Sequence, residues 1–212
     1  YSIKEWNREK FMNDKWGRNF LGTPPQGRAD YAFIQHILAS MNEKNGRCAI
    51  LLPHGILFRQ EEKDIRKSLV LSDSLEAVIG LGPNLFYNSP MEACILFCNK
   101  NKPQHLKDKI IFINAINEVT RKNGESYLEE KHIKKILSAF YNNSDIPQFK
   151  ETIDINDICN NEYDISIQKY VFINDLKEYI DCRSAFENWQ NIKAEFHNSV
   201  EVLFNMIQGG KI

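Results

Sequence analysis

Phe86 and Tyr87 stand side by side, with Asn88 after them, in a turn-rich segment between the apolar runs "LEAVIGL" and "ACILFCN". Burial is hardest to arrange in a turn, and aromatic faces left open there make a sticky patch for a partner. An aromatic plug at the end of a sheet accounts for the same residues. His54 follows Pro53 at the end of another apolar run, where open α/β sheets place ligand-contacting residues; a loop histidine bonded to backbone fits there as well. Gly80-Leu81-Gly82 lacks the third glycine of a dinucleotide-binding turn and leads into Pro83 and a strand, so that chemistry is rejected. No phosphate-loop lysine motif occurs. Cys94 and Cys98 fall on one side of a predicted strand but too far apart along it for a zinc pair, which makes them core residues. Ser72, Ser74 and Ser89 have no nucleophile-elbow context, and Glu61, Glu62 and Asp64 read as an exposed helix face. The basic run "NKNKPQHLKDK" suits either a phosphate contact or a solvated turn.

The elements that must position these residues follow from periodicity. Residues 1–28 are rich in Asn, Gly, Pro and charge, with Trp6, Phe11, Trp16 and Phe20 scattered, and read as an irregular aromatic-studded loop. Loops beyond about 12 to 15 residues are often functional. Asp30 can cap a helix over "DYAFIQHILASM", in which Phe33, Ile34, Ile37, Leu38 and Met41 share helical spacing; Asn45-Gly46 ends it. "RCAILLP", from Arg47 to Pro53, is continuously apolar and predicts a strand buried on both faces. A helix over "QEEKDIRKSLVLS", with Ile65, Leu69 and Leu71 inward, leads to a second buried strand, "LEAVIGL". "ACILFCN" and "IIFINA" are the third and fourth. This order predicts one flank of a doubly wound α/β sheet that finishes antiparallel.

Beyond Ala115 the texture changes. "YLEEKHIKKILSAFYN" predicts a charged helix with Leu128, Ile133, Ile136, Leu137 and Phe140 on its apolar face, and "TIDINDICNNEYDISIQKYV" alternates like a short extended excursion. From Asn174 to about Gln208, residues such as Leu176, Ile180, Trp189, Phe196 and Leu203 recur at helical spacing up to Gly209-Gly210. At 1.5 Å per residue such a helix is about 50 Å long and outreaches a small domain. Part of it is expected to pack on a partner; docking across its own domain is the alternative.

Composition bounds the function. The chain has 212 residues, 42% hydrophobic and 26% charged, as in a soluble protein with a sizeable core. Its formal net charge of -1 gives no global positive field, so any DNA contact must come from local patches or a partner. Five cysteines are an odd number, and Cys48, Cys94 and Cys98 sit in apolar runs, which suits reduced thiols in the cytoplasm. No apolar run approaches the roughly 20 residues that span a bilayer, and "YSIKEWNREK" is not an export signal. Tyr1 is not an initiator Met, so a fragment or processed form is expected.

Several segments together are specific. "RADYAFIQHILASM", "GRCAILLPHGILFR", "IRKSL", "LEAVIGLGPNLFYNSPMEACILFCNKNKP" and "IIFINA", in this order and spacing, resemble the modification (M) subunit of type I restriction-modification systems, a family of adenine-specific DNA methyltransferases. The similarity runs from Tyr1 to about Val171 and weakly into the last helix. "FRQEEKD" and "NSPMEAC" depart from the family, which commonly has a Gly-rich turn at the first position and a Thr-Gly-containing turn at the second.

The resemblance implies the carboxy-terminal half of a Rossmann-like, S-adenosylmethionine-dependent sheet, parallel strands ending in an antiparallel hairpin, with a helical extension. It implies that Tyr1 is the aromatic residue closing an Asn-Pro-Pro-aromatic motif and stacks on the target base. Phe86 would stack on the other face of that adenine, with Tyr87 beside it. Phe33 and Asp30 would contact the cofactor, and no metal is implied. The Asn-Pro-Pro and the Gly-containing cofactor loop would lie upstream, leaving the isolated chain inactive. The implied division is a base- and DNA-side loop over 1–29, a partial catalytic domain over 30–115, a family-specific extension over 116–171 and a subunit-contacting helix over 172–212. Implied partners are DNA, the specificity and restriction subunits, and a second modification subunit. A non-enzymatic protein- or DNA-binding module built on a partial sheet is the competing reading.

Overall fold

The structure, a computed structural model, describes residues 3–86, 89–122, 124–172 and 182–208. It falls into two units, Tyr1–Ile173 and Asn174–Ile212. The predicted positions Tyr1 and Tyr87, and the expected helix start at Asn174, lie outside the described residues.

In the first unit, a short helix α1 (Arg8–Met12) interrupts the otherwise irregular opening segment. Helix α2 (Asp30–Ser40) leads to strand β1 (Arg47–Pro53), and α3 (Lys63–Leu71) leads to β2 (Leu75–Leu81). Strands β3 (Ala93–Asn99) and β4 (Lys109–Ala115) follow. Next come a two-stranded ribbon of β5 (Thr120–Lys122) and β6 (Glu125–Tyr127), helix α4 (Glu130–Tyr141), strand β7 (Lys150–Asp154) and helix α5 (Ile155–Asn160).

The main sheet has the order β1-β3-β2-β4-β7. Strand β3 is antiparallel to both β1 and β2, so those two run the same way without touching; β2 and β4 pair in parallel, and β7 closes the sheet antiparallel to β4. The expected mixture of parallel strands and an antiparallel hairpin is present, with β3 inserted between its neighbours. Segment 116–171 supplies β7 and several core residues, so β7 and the sheet of 30–115 share one compact unit.

Period-two alternation divides the core. One face of the sheet carries Val78, Leu96 and Phe112 against Ile34 and Leu38 of α2 and Leu69 of α3. The other carries Ile79, Ile111 and Ile113 against Ala139 of α4 and Phe149. A bulge between Leu75 and Ala77 lets Leu75 share the first face with Val78. Every residue of β2 is buried, as its sequence predicts for a central strand.

Strand β1 departs from that expectation. Ala49 and Leu51 are exposed, while Cys48 and Ile50 are half-buried. Among the described residues β1 pairs on one side only, and an apolar run at a sheet edge cannot cover itself. Three helix positions also differ: Phe33 and Leu71 face outward, and Val70 takes the inward place given to Leu71. On α4, Ile136 and Phe140 pack on the sheet, whereas Ile133 and Leu137 stay exposed. The alternating stretch after Lys150 is a strand only to Asp154, whose side chain accepts from the Asn156 N–H and starts α5.

In the second unit, helix α6 (Cys182–Gln208) spans 27 residues, about 40 Å at 1.5 Å per residue. Phe186, Trp189, Ile192, Phe196 and Leu203 are all more than half exposed along it, and the rings of Phe186 and Trp189 stack with centroids 5.7 Å apart. No helix among the described residues is long and apolar enough to cross a membrane.

Candidate functional site

Because β1, β2 and β4 are co-directional, Pro53, Leu81 and Ala115 end at one edge of the sheet. Open α/β sheets bind ligands at that edge. The connection from β2 back to β3 starts there and carries Phe86, which is half-buried and bridges to Ser89, whose N–H donates to the Phe86 carbonyl at 3.1 Å. The connection is pinned near both ends. The Ser126 N–H from β6 donates to the Asn84 carbonyl at 3.0 Å, and the His54 N–H donates to the Glu92 carbonyl at 3.2 Å.

Gly82 explains why glycine follows β2 without any phosphate-binding role. A Cβ there would lie 2.5 Å from the Ile116 carbonyl oxygen and 2.9 Å from Val119. The end of β2 thus presses against the backbone leaving β4. His54 adds a second contact to Glu92, Nδ1 to Oε2 at 3.8 Å, and packs edge-on to Phe58. Its Nε2 is buried with no hydrogen-bond partner, and burial holds its pKa below the ordinary value, with Glu92 and Asp164 opposing.

A buried charge cluster fixes the first turn of α2. Asp30 is the first residue of α2, one place past the N-cap position, which Ala29 occupies, and its carboxylate faces the Arg59 guanidinium at 3.4 Å. The expected cap position thus shifts from Asp30 to Ala29. Arg59 also meets Glu62 at 3.3 Å and lies against Gly55, where a Cβ would be 2.7 Å from its Nε. Glu62, read from sequence as solvated, has no exposed surface, and burial pushes its carboxyl up to about 6, against the pull of Arg59. Arg66 beneath it donates to the carbonyls of Arg59 and Tyr163, and the Tyr31 hydroxyl donates to the Ile56 carbonyl.

On the outer side of α2, Phe33 is 52% exposed and lines a cleft of about 570 Å³. Trp6, Phe11 and Trp16 from the opening segment form its other aromatic walls, and Lys10, Lys15 and Arg18 add positive charge. Trp6 and Phe11 meet edge-to-face at 5.8 Å, and Lys15 lies over the Trp16 ring at 4.6 Å. The Trp6 Nε1–H is buried without a partner. Asp14 is held well below the usual carboxylate range by its hydrogen bonds to Arg18, which fixes the loop at the rim. An open, apolar, aromatic-walled cleft fits a planar heterocycle. Buried and paired Asp30 does not line it.

The arrangement therefore brings Phe33 together with Trp6 and Trp16, and leaves Phe86 outside that cleft, on the pinned connection at the sheet edge. The Trp pair was legible as an aromatic-rich loop, but nothing local linked it to Phe33. The basic run after β3 is not a phosphate contact throughout: Lys102 is 2% exposed and spends its ammonium on Asp73 and the carbonyls of Leu75 and Lys109. No group of three His, Cys, Asp or Glu side chains among the described residues converges as a metal site would.

Comparison with known proteins gives the family. Residues 1–179 match the family model described as N-6 DNA Methylase. The chain is 36% identical over 195 residues to the type I restriction enzyme MjaVII methylase subunit of Methanocaldococcus jannaschii, covering 89% of this chain and 33% of that protein. The MjaVIII methylase subunit of the same organism is 34% identical, with 93% and 36% covered. Among solved structures, the type I restriction-modification system methyltransferase subunit from Streptococcus thermophilus superposes with a TM-score of 0.74 at 33% identity, over 81% of this chain and 36% of that one. The chain spans about a third of the length of these relatives. With an edge-pinned aromatic connection, an aromatic cleft on α2 and a family match over most of its length, the chain belongs to the N-6 DNA methylase family, among the methyltransferase subunits of type I restriction-modification systems.

Proposed function

We propose that this chain is the carboxy-terminal part of a modification subunit that transfers a methyl group from S-adenosylmethionine to the exocyclic amine of adenine in DNA. The observation that carries the reading is Phe86, half-buried on a connection pinned at Asn84 and Glu92 at the carboxyl end of β2. Chemistry on a duplex base requires its extrusion, which costs the base its stacking. An aromatic face held ready at the sheet edge offsets roughly 1 to 3 kcal/mol of that loss. Pinning both ends of the connection limits the ordering entropy that a loose loop would lose on binding.

Tyr1 would cover the other face of the base, with Tyr87 flanking Phe86. Phe33 offers its exposed ring to the cofactor's adenine, and the unpartnered Trp6 Nε1–H suits a ring-nitrogen acceptor beside it. Asp30, held at the first turn of α2 beside Arg59, is the second cofactor contact in this reading. When bound, S-adenosylmethionine supplies an electrophilic methyl group on a sulfonium. The 212 residues contain neither an Asn-Pro-Pro nor a Gly-rich cofactor loop, so labelled S-adenosylmethionine should leave no label on DNA with this chain alone; clear incorporation would defeat that expectation.

In this reading residues 1–29 form the DNA-side loop, 30–115 part of the catalytic domain, 116–171 an extension and 172–212 the subunit-contacting helix. The exposed apolar stripe of α6 supports docking to a specificity subunit. Near-neutral net charge supports leaving sequence reading to that subunit. A restriction subunit and a second modification subunit complete the assembly, in the cytoplasm.

The deciding experiment is Phe86→Ala in the complete subunit, with binding measured to duplexes carrying a paired or a mismatched target adenine. A stacking role predicts the larger loss on the paired duplex, since a mismatched base flips more cheaply. Equal losses would remove Phe86 from the flipping step and leave it as an aromatic plug.

A further inference from the structure

Cys48 and Cys98 are direct partners across the β1–β3 ladder. The class of that pair follows from the backbone. Lys100 donates to the Gly46 carbonyl at 2.9 Å, and at the far end of the ladder His54 donates to the Glu92 carbonyl at 3.2 Å. Hydrogen-bonded pairs recur every second residue, so Cys48–Cys98 is one of them, with a Cα separation of about 5.5 Å for that class. That lies inside the window of roughly 4.4 to 6.8 Å that disulfides span.

Both thiols face the α2–α3 side of the sheet, where Cys98 belongs to the core and Cys48 packs against it. Cys98 is fully buried, whereas Cys48 is only half-buried on the edge strand and is the more accessible residue of the two. We propose that Cys48 and Cys98 form a redox-responsive dithiol that closes to a reversible cross-strand disulfide. Both are free thiols here.

The two sulfurs differ in the way the first step requires. A hydrogen bond from the Cys98 thiol holds Cys48 below its ordinary pKa, which favours thiolate at the exposed member. The same contact and burial push Cys98 well above its own, so it keeps its proton. With hydrogen peroxide as oxidant, the Cys48 thiolate attacks one peroxide oxygen and breaks the O–O bond. The products are a Cys48 sulfenic acid and hydroxide, which takes up the proton that Cys48 had released to form water. The Cys98 sulfur then attacks the Cys48 sulfur, the S–O bond breaks, and the Cys98 proton leaves with the hydroxyl as water. Two thiols and one peroxide thus give one disulfide and two waters.

Neither of the other two cysteines whose side chains are described is an alternative. Cys94 faces Leu52 and Gly80 across its ladders, and burial pushes its thiol up to about 12. Cys159 is exposed and sits 3.1 Å from the Tyr163 hydroxyl. Hydrogen-bonded pairs hold their Cβ atoms wider than an unstrained disulfide, so closure draws β1 toward β3 and leaves a strained, easily reduced bond. Such a bond suits a switch better than a permanent staple.

The test uses the full-length protein, reduced, exposed to hydrogen peroxide under native conditions, blocked with an alkylating agent and mapped by non-reducing peptide mass spectrometry. Expected is a peptide joining Cys48 to Cys98 that disappears with dithiothreitol. In Cys98→Ala, dimedone should instead capture a sulfenic acid at Cys48. Oxidation of Cys48 in the unmodified protein without the crosslink overturns the proposal, as does preferential bridging to another cysteine. So does an unreacted Cys48 at peroxide doses that oxidise Cys159. The map of the unmodified protein decides the matter even if the variant fails to fold.

Discussion

Glu62 is the residue at which burial and charge conflict most directly, and Glu62→Gln turns that conflict into a measurement. Its carboxyl has no exposed surface, one oxygen faces Arg59 at 3.3 Å, and the other has no hydrogen-bond partner. Desolvation wins over the guanidinium and raises its pKa from an ordinary 4.5 to about 6. The sign follows from linkage: between those values the folded chain holds a proton that the unfolded chain has lost. Stability is therefore highest below pH 4.5 and falls as pH rises through about 6. At 1.36 kcal/mol per pKa step of one, the whole effect is about 2 kcal/mol. His54, whose pKa is lowered, has the opposite slope near neutrality, so the wild-type curve alone mixes the two. The difference between wild type and Glu62→Gln isolates the carboxyl, because the other groups are common to both. Urea unfolding followed by near-ultraviolet circular dichroism from pH 4.5 to 7 gives that difference. We expect wild type to lose about 1.6 kcal/mol of that relative to the variant across the window, since at pH 4.5 the unfolded carboxyl is already half ionised. A flat difference, or one that grows in favour of wild type with rising pH, would refute the view that desolvation dominates Arg59 at this site.

Gly82→Ala should cost about 1 to 3 kcal/mol of stability, the usual range for overpacking. Its Cβ meets a backbone oxygen at 2.5 Å that cannot swing away; an unfolding midpoint equal to wild type would show that the β2–β4 junction is looser than described. Removal of everything after Val171 should abolish association with the specificity subunit in a pull-down or sedimentation assay, if α6 is the docking element. Unchanged assembly would assign docking elsewhere.

Local pattern was sufficient for much of the fold. The apolar runs of β2, β3 and β4 read as buried strands and are buried, and the three-and-four spacing of α2, α3 and α4 produced helices within a few residues of the expected ends. The opening segment read as a loop because its aromatics have no period, and helix α1 takes up five of its described residues. The ordered segments shared with the methyltransferase subunits carried the family assignment, since motif order survives where single motifs are weak.

Side-chain period reports which residues share a face, and it comes from backbone geometry that every residue carries with it. Thus the sequence by itself determined the elements, their amphipathic faces and the aromatic character of the β2–β3 connection. Pairing and coverage depend on what lies across the fold, which no local window contains. Tertiary structure alone inserted β3 between β1 and β2, left Ala49 and Leu51 at an open edge, and set Cys48 opposite Cys98. It also turned Phe33 away from the core toward Trp6, and buried Glu62 and Arg66 by pairing them with groups on other elements, Arg66 with the Tyr163 carbonyl among them. A charged side chain enters the interior only where such partners offset its desolvation, and those partners are fixed by packing between segments distant in sequence.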